Sequence, residues 1–219
     1  MKRNKSRAGL AFLLALAWMP GVAQKQKQTD VALSVFDASG GGLTAAYGGD
    51  NHLQLNNGAG GLFELRQIRN PFLGYEVTYS FNHASQVWYS PLPFCPVGTG
   101  PCSPPPPESV SANAHEITGD WLVSVRKGKL RPFALAGVGI LLTEPTMSEP
   151  TNGSRGTMSS QNAVYVYGFG LDWQVLPRLG LRAQFRGNVH KVPDLATDFN
   201  SPSFYTQTVE PAIGVYYKF

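Results

Sequence analysis

Ten residues near the C-terminus, Gly180-Leu-Arg-Ala-Gln-Phe-Arg-Gly-Asn-Val189, decide the fold. Small and apolar residues occupy every second position, and the positions between them hold Arg182, Gln184, Arg186 and Asn188. Successive side chains of a β-strand point to opposite faces, so this period of two predicts a strand with one apolar and one polar face. A helix would not keep the two sets of side chains apart.

The same alternation occurs in residues 75–82 and 116–126. Weaker alternation predicts five further strands, in residues 29–36, 61–68, 132–142, 162–174 and 205–219. In the two glycine-rich strands, 132–142 and 162–174, the glycines leave open which face is apolar. The total of eight predicts an all-β fold, an antiparallel up-and-down β-barrel that closes on itself.

Alternation alone leaves open whether the apolar face packs into a soluble core or meets lipid, but the connections separate the two cases. They alternate between long and short. The long ones are 37–60, 83–113, 143–161 and 191–204, and the short ones are 69–73, 127–130 and 175–179. A soluble barrel has no physical reason to place its long loops at one end, whereas outer-membrane barrels have short periplasmic turns and long external loops. The sequence therefore predicts a transmembrane barrel.

The N-terminus has the three parts of a secretion signal. Residues Lys2 to Arg7 are basic, Ala8 to Trp18 form an apolar run, and Gly21-Val22-Ala23 is a small-x-small cleavage site. We predict cleavage after Ala23, with residues 24–219 forming the barrel domain. A membrane anchor is the alternative, but the apolar run is shorter than the roughly 20 residues that a spanning helix needs. No later stretch is long enough for such a helix, which excludes a helical membrane protein.

The charge of the predicted mature chain is balanced. Four of the 18 Lys and Arg residues lie in the first seven positions, so the rest of the chain carries 14 basic and 14 acidic residues. A nucleic-acid groove needs a surplus of positive charge, so nucleic acid is excluded as a partner.

The last residues have the spacing of the C-terminal targeting signal of outer-membrane barrels, in Gly214, Tyr217 and Phe219. Together with the stretches Arg131–Gly139 and Leu179–Arg186, and with Tyr167-Gly-Phe-Gly-Leu-Asp-Trp173, this end of the chain resembles the eight-stranded outer-membrane barrels of the OmpA and OmpX kind. The resemblance implies residence in outer-membrane lipid, insertion by the barrel-assembly machinery through the last strand, and contact with partners outside the cell through the loops.

Charged residues recur on the polar face of the predicted strands, six acids and five bases. An eight-stranded barrel is narrow enough to be filled by its own side chains, so we expect these residues to form a paired ion network in the lumen. A lumenal catalytic site of paired carboxylates is the alternative, less favoured because an ion network explains the same residues. The predicted network consists of Glu64, Arg66, Glu76, Glu116, Asp120, Arg126, Asp172, Arg182, Arg186, Glu210 and Lys218.

Two cysteines, Cys95 and Cys102, lie in the proline-rich loop from Pro91 to Pro107. A secreted chain passes through an oxidising compartment, so a disulfide within this loop is favoured over free thiols. A metal site is also less favoured, because two thiols without a histidine in the loop supply only half of a tetrahedral shell. No cofactor or metal is predicted.

The motif His83-Ala-Ser85 continues the predicted lipid-facing parity of residues 75–81. It resembles the His-x-Ser pair of lipid A deacylase barrels, whose hydrolytic site faces the membrane. In that family, however, the pair lies near the C-terminal end, and here no carboxylate partner is identifiable. The favoured interpretation is a histidine and a serine at the rim of the third strand.

These features favour a non-enzymatic integral outer-membrane protein that presents four long surface loops for envelope structure, adhesion or partner contact. A small pore or solute channel is the first alternative, which a filled lumen disfavours. A lipid A-modifying hydrolase using His83 and Ser85 is the second, less favoured alternative. No catalytic residue is assigned.

Overall fold

The computed structural model describes residues 27–40, 45–47, 51–70, 72–89, 106–147, 156–195 and 205–219. Within these ranges no helix is long and apolar enough to cross a membrane. The strands are β1 Gln28–Gly40, β2 Ala45–Tyr47, β3 Asn51–Leu55, β4 Gly58–Ile68, β5 Leu73–Tyr89, β6 Glu108–Ser124, β7 Leu130–Pro145, β8 Ser160–Gln174, β9 Leu179–Lys191 and β10 Tyr205–Lys218.

Eight of these strands form one closed antiparallel barrel, as the sequence predicted. From β4 to β10 each strand pairs with the next along the chain, and β1 closes the ring by pairing with both β4 and β10. Val31, for example, lies opposite Leu65 on one side and Tyr217 on the other. Closure leaves no unpaired edge among the eight strands, which is what a β-structure needs in order to span lipid. The short strands β2 and β3 form a hairpin, and β3 pairs with the end of β5.

The strands extend further toward the long connections than predicted. β5 and β6 were predicted over residues 75–82 and 116–126, but they pair from Leu73 opposite Val123 up to Trp88 opposite Glu108. Much of the segment 83–113, predicted as a loop, is therefore strand. The apolar alternation stops where the side chains become polar, but backbone N–H and C=O groups still need partners, so pairing continues beyond that point. The two ends of the barrel are called the long-loop end and the short-turn end below.

The outer face of the barrel carries a broad belt of exposed apolar side chains. Trp121 is 76% exposed, Leu33 63%, Phe169 61% and Ile213 61%. Charged and polar residues from the same strands point inward and are buried. A continuous exposed apolar surface of this kind is unstable in water and fits a lipid environment.

The glycine-rich strands, whose facing the sequence left open, place their glycines toward the lumen. Tyr165, Phe169 and Trp173 of β8 are exposed, whereas Phe133 of β7 is 4% exposed and points inward. The ring of Phe133 lies against Gly170 on the neighbouring strand, where any side chain would collide with it. Glycine at position 170 thus makes room for a large aromatic ring inside the barrel.

Gly139 and Gly119 provide a test of how closely the strands pack. A Cβ atom at Gly139 would collide with the backbone oxygen of Ile117, whereas one at Gly119 would meet nothing within 4 Å. We expect Gly139→Ala to lower the free energy of unfolding by about 1 to 3 kcal/mol, because the strands would have to shift. Gly119→Ala is the matched control and should be neutral or slightly stabilising. Urea unfolding in detergent micelles measures both, and equal midpoints would show that the strands yield without cost.

Candidate functional site in the barrel lumen

Two arginines and four carboxylates fill the part of the lumen nearer the short-turn end. Arg182 lies 2.8 Å from oxygens of both Asp30 and Asp172 and 3.4 Å from Glu64 Oε1. Arg66 donates to Glu76 Oε2 at 2.6 Å and to Asp172 Oδ2 at 3.1 Å. These side chains are buried, so each charge depends on its partners rather than on water. We call this set the arginine cluster: Asp30, Glu64, Arg66, Glu76, Asp172 and Arg182.

Aromatic rings pack against the two guanidinium groups of the arginine cluster. Arg66 Cζ lies 4.1 Å from the centroid of the Phe133 ring, and Arg182 Cζ lies 5.4 Å from that of Tyr216. A cation over an aromatic face is attracted by the ring quadrupole, more strongly when water is excluded. The rings therefore help to fix the arginines in position. Sequence reasoning missed this role of Phe133, because the facing of its strand was ambiguous.

A second group of charges, the upper cluster, lies nearer the long-loop end and consists of Glu116, Asp120, Arg186 and Glu210. Arg186 Nη2 lies 3.2 Å from Glu116 Oε1, and Arg186 Nε lies 4.0 Å from Glu210 Oε2. Asp120 accepts a hydrogen bond from Thr118 at 3.0 Å. All four side chains are at most 3% exposed. One guanidinium group thus faces three buried carboxyl groups.

The structure places nine of the eleven predicted network residues in these two clusters, and two lie elsewhere. Arg126 is exposed beyond the end of β6, where strand parity no longer directs its side chain inward, and it donates to Gly128 O and Gln174 Oε1. Lys218 is the last residue of β10 and is partly exposed at the short-turn end.

Asp30 is the acidic residue that the sequence reasoning missed. It is fully buried and bound to Arg182, and the parity of β1 puts it on the same face as Ser34, which would have identified it. With Asp30 included, and with Arg126 and Lys218 outside, the two clusters hold seven acids and three arginines. Arg131 of β7, opposite Asp172 in the pairing of β7 with β8, adds a fourth base at the short-turn end, so the described lumen holds a larger excess of acids than the predicted six to five.

A cluster of buried apolar residues, here called the apolar cap, lies within the lumen at the long-loop end. It consists of Trp88, Val110, Ala112, Val192 and Leu195, with Met147 packed against it. The segment after β9 turns inward, where Pro193 O accepts a hydrogen bond from Gln86 Nε2 at 3.1 Å and Leu195 O accepts one from Met158 N at 3.0 Å. Apolar residues at 192 and 195, within a stretch predicted as loop, were the sequence signal for this cap.

A cavity of about 90 Å³, here called the upper chamber, lies between the apolar cap and the upper cluster. Its lining includes Glu116 and Glu210 from the upper cluster and Pro193 and Leu195 from the capping segment. Polar side chains from β5, β7 and β9 complete the wall, among them Asn82, Gln86, Thr143 and Asn188. The chamber is large enough for several water molecules or a small ligand.

His83 and Ser85, the candidates for a hydrolytic pair, use different partners. His83 Nδ1 lies 2.9 Å from Asn113 Oδ1, and Ser85 Oγ accepts a hydrogen bond from Asn56 Nδ2 at 2.9 Å. The prediction that both side chains face lipid is wrong for Ser85, which is half-buried and lines the upper chamber. The chain before β4 runs alongside β5 here: Asn56 N donates to Ser85 O between the β3 and β4 pairings with β5, and this places Asn56 Nδ2 on the serine hydroxyl.

Three further predicted features differ in how far the structure describes them. The signal segment 1–23 and the cysteines Cys95 and Cys102 lie outside the described residues, so cleavage and the disulfide stay predictions. The C-terminal residues are described: Gly214 pairs with Ser34, and the exposed rings of Tyr217 and Phe219 meet edge to face at 5.4 Å. Phe219 N donates to Thr29 O, which ties the chain end to β1.

A closed eight-stranded antiparallel barrel with an apolar exterior and a charged, filled lumen belongs to the class of transmembrane β-barrels. Among solved structures, the chain is similar to Neisserial surface protein A, with 13% identity, a TM-score of 0.51 and coverage of 91% of this chain and 100% of that one. It is also similar to the outer membrane protein OprG from Pseudomonas aeruginosa, with 10% identity, a TM-score of 0.50 and coverage of 90% and 98%. At these identities the likeness shows the fold. No protein-family model matches the sequence, and no curated protein matches it significantly.

Proposed function

We propose that this protein is a non-enzymatic integral outer-membrane barrel that is closed to solutes and carries its recognition surface on four long connections. The observation that supports the proposal is that buried side chains occupy the lumen at both levels. The arginine cluster fills one half, and the apolar cap lies in the other. A barrel built in this way serves as a rigid membrane anchor rather than as a pathway.

The topology supports a role in surface recognition. The connections between β1 and β4, β5 and β6, β7 and β8, and β9 and β10 all leave from the same end, and the turns at the other end are short. Loops on a rigid scaffold are where binding residues concentrate, which suits adhesion, envelope contact or another partner outside the cell. The names of both similar proteins place them at a bacterial surface or in an outer membrane, which supports the same location for this chain.

Lipid and the assembly machinery are the further partners in this proposal. The apolar belt matches the acyl chains of the outer membrane, with exposed aromatic rings such as Tyr217 and Phe219 at its short-turn edge. β10 is the strand that the barrel-assembly machinery would engage, because it carries the predicted C-terminal signal and pairs with β1 to close the ring.

Conductance in a planar bilayer tests the closed state. We expect no steady current from the wild-type barrel, and none from Trp88→Ala, because that change opens only the cap and leaves the arginine cluster in place. Steady single-channel currents proportional to salt concentration from the wild-type protein would overturn the proposal and assign the protein as a pore. A porin of known conductance in the same bilayer shows that channels are detectable.

A further inference from the structure

We propose that the upper chamber is a binding site for a small monovalent cation. Three features coincide there: an excess of buried negative charge, polar oxygen atoms that lack partners, and a cavity of about 90 Å³. None of these features is required for filling the lumen, which the arginine cluster and the apolar cap already do.

The charge excess belongs to the upper cluster. Glu116, Asp120 and Glu210 are each at most 3% exposed, and among the described residues the guanidinium group that contacts them comes from Arg186. Arg186 is below the chamber and does not line it, whereas Glu116 and Glu210 do. Buried carboxylates without counter-charge are costly, so a cation held between these two residues would offset that cost.

Two buried amide side chains that line the chamber have oxygen atoms without a hydrogen-bond partner. Gln86 uses its Nε2 to donate to Pro193 O, and Asn188 uses its Nδ2 to donate to Glu116 Oε2 at 3.0 Å. Since the nitrogens are engaged, the orientation of both amides is fixed and the oxygens are left as acceptors. Among the described residues, Gln86 Oε1 and Asn188 Oδ1 have no hydrogen-bond partner, although the side chains are only 3% and 2% exposed.

Further oxygens around the chamber also have no hydrogen-bond partner within the described part of the chain, although one of them, Glu210 Oε2, lies 4.0 Å from Arg186 Nε. These oxygens are Asn82 Oδ1, Thr143 Oγ1 and Glu210 Oε2. His190, the one histidine in the lining, places its ring nitrogens on Lys191 O and Thr208 Oγ1 rather than on a carboxylate. The chamber wall therefore offers mostly acceptors, which suits a ligand that is a cation.

The donor set favours a hard cation over a transition metal, and the two glutamates of the chamber wall share Arg186, which leaves one negative charge for a monovalent cation to balance. The described residues contain no group of three or more His, Cys, Asp or Glu side chains arranged to hold a metal ion. Carboxylate, amide and hydroxyl oxygens are instead the ligands of hard cations. Sodium, potassium and ammonium share this chemistry, and the experiment below distinguishes them.

The test is thermal unfolding of the refolded full barrel in detergent micelles at constant ionic strength. Sodium, potassium or ammonium chloride is compared with tetramethylammonium chloride, whose methyl groups keep its charge away from oxygen ligands and which cannot donate a hydrogen bond. At a concentration about ten times the dissociation constant, we expect the bound cation to raise the unfolding midpoint by about 3 to 5 °C. Identical midpoints in all four salts would overturn the proposal and show that the chamber holds only water and protonated carboxyl groups.

Variants locate the effect. Glu210→Gln removes one charge from the chamber wall, and Gln86→Met removes an amide oxygen without changing charge. Each should abolish or reduce the difference between salts. Glu144→Gln, at an exposed position on β7, is the matched control and should keep the difference. If Glu210→Gln fails to fold, the comparison of salts with Gln86→Met tests the site instead. A crystal soaked in thallium(I) tests it independently, because a bound ion gives an anomalous peak in the chamber. A difference in unfolding midpoint between salts that is retained in both Gln86→Met and Glu210→Gln would overturn the assignment. The same holds if calcium chloride, added as a fifth salt, is the one salt that raises the midpoint.

Discussion

Arg182→Met should lower the free energy of unfolding by about 3 to 5 kcal/mol, the usual cost of removing one partner from a buried ion pair. Arg182 is fully buried and contacts four carboxylates, with Asp30 and Asp172 at 2.8 Å, Glu64 at 3.4 Å and Glu76 at 3.7 Å. Without its charge, these four acids would lose the arginine that contacts all of them, and Arg66 would remain in contact with Glu76 and Asp172. Urea unfolding in detergent micelles, followed by tryptophan fluorescence, measures the loss.

Two further variants separate electrostatics from packing in this experiment. Arg178→Met, in the exposed turn between β8 and β9, makes the same change outside the lumen and should stay within about 0.5 kcal/mol of the wild type. The double variant Arg182→Met with Asp172→Asn should recover part of the loss, since it also removes one of the four carboxylates that Arg182 balanced. A single variant as stable as Arg178→Met would mean that the arginine cluster adds nothing to stability.

The predicted mature chain, residues 24–219, should fold only in detergent or lipid. The exposed belt includes Trp121, Phe169 and Ile213, and in plain buffer these side chains would drive aggregation rather than leave a soluble barrel. Dilution from urea with and without micelles, followed by circular dichroism and tryptophan fluorescence, measures folding. A monomeric folded chain in plain buffer would contradict the membrane assignment.

Charge substitutions on one strand refine that test. Phe169→Arg places a charge within the belt of β8 and should lower stability in lipid by about 2 to 4 kcal/mol. Gln161→Arg makes an outward-facing change near the long-loop end of the same strand and should lower stability by about 1 kcal/mol or less. Equal losses would show that residue 169 does not face the hydrocarbon layer.

Strand parity predicted most of the side chains that lie in the lumen. The wrong or missing assignments occur where parity fails or was not applied. Arg66, Arg182 and Arg186 lie in the interior because each is on the polar face of a regular strand. Arg126 was misplaced because it follows the end of its strand, and Asp30 was overlooked although the parity of β1 places it inward. Those two residues account for most of the error in the predicted charge balance.

The sequence by itself determined the class of fold, because a period of two in hydrophobicity and the alternation of long and short connections are local properties of the chain. Eight antiparallel strands, a polar interior and an apolar exterior follow from them. The tertiary structure alone decided which charges meet. Arg182 and Asp30 are far apart in sequence, yet a nitrogen of one lies 2.8 Å from an oxygen of the other. Ring closure pairs β1 with β10, and β10 in turn pairs with β9, so the two side chains reach each other inside the barrel. The apolar cap and the upper chamber likewise depend on strands that pair beyond the belt and on a segment that folds back into the lumen, and neither leaves a periodic signal in the sequence.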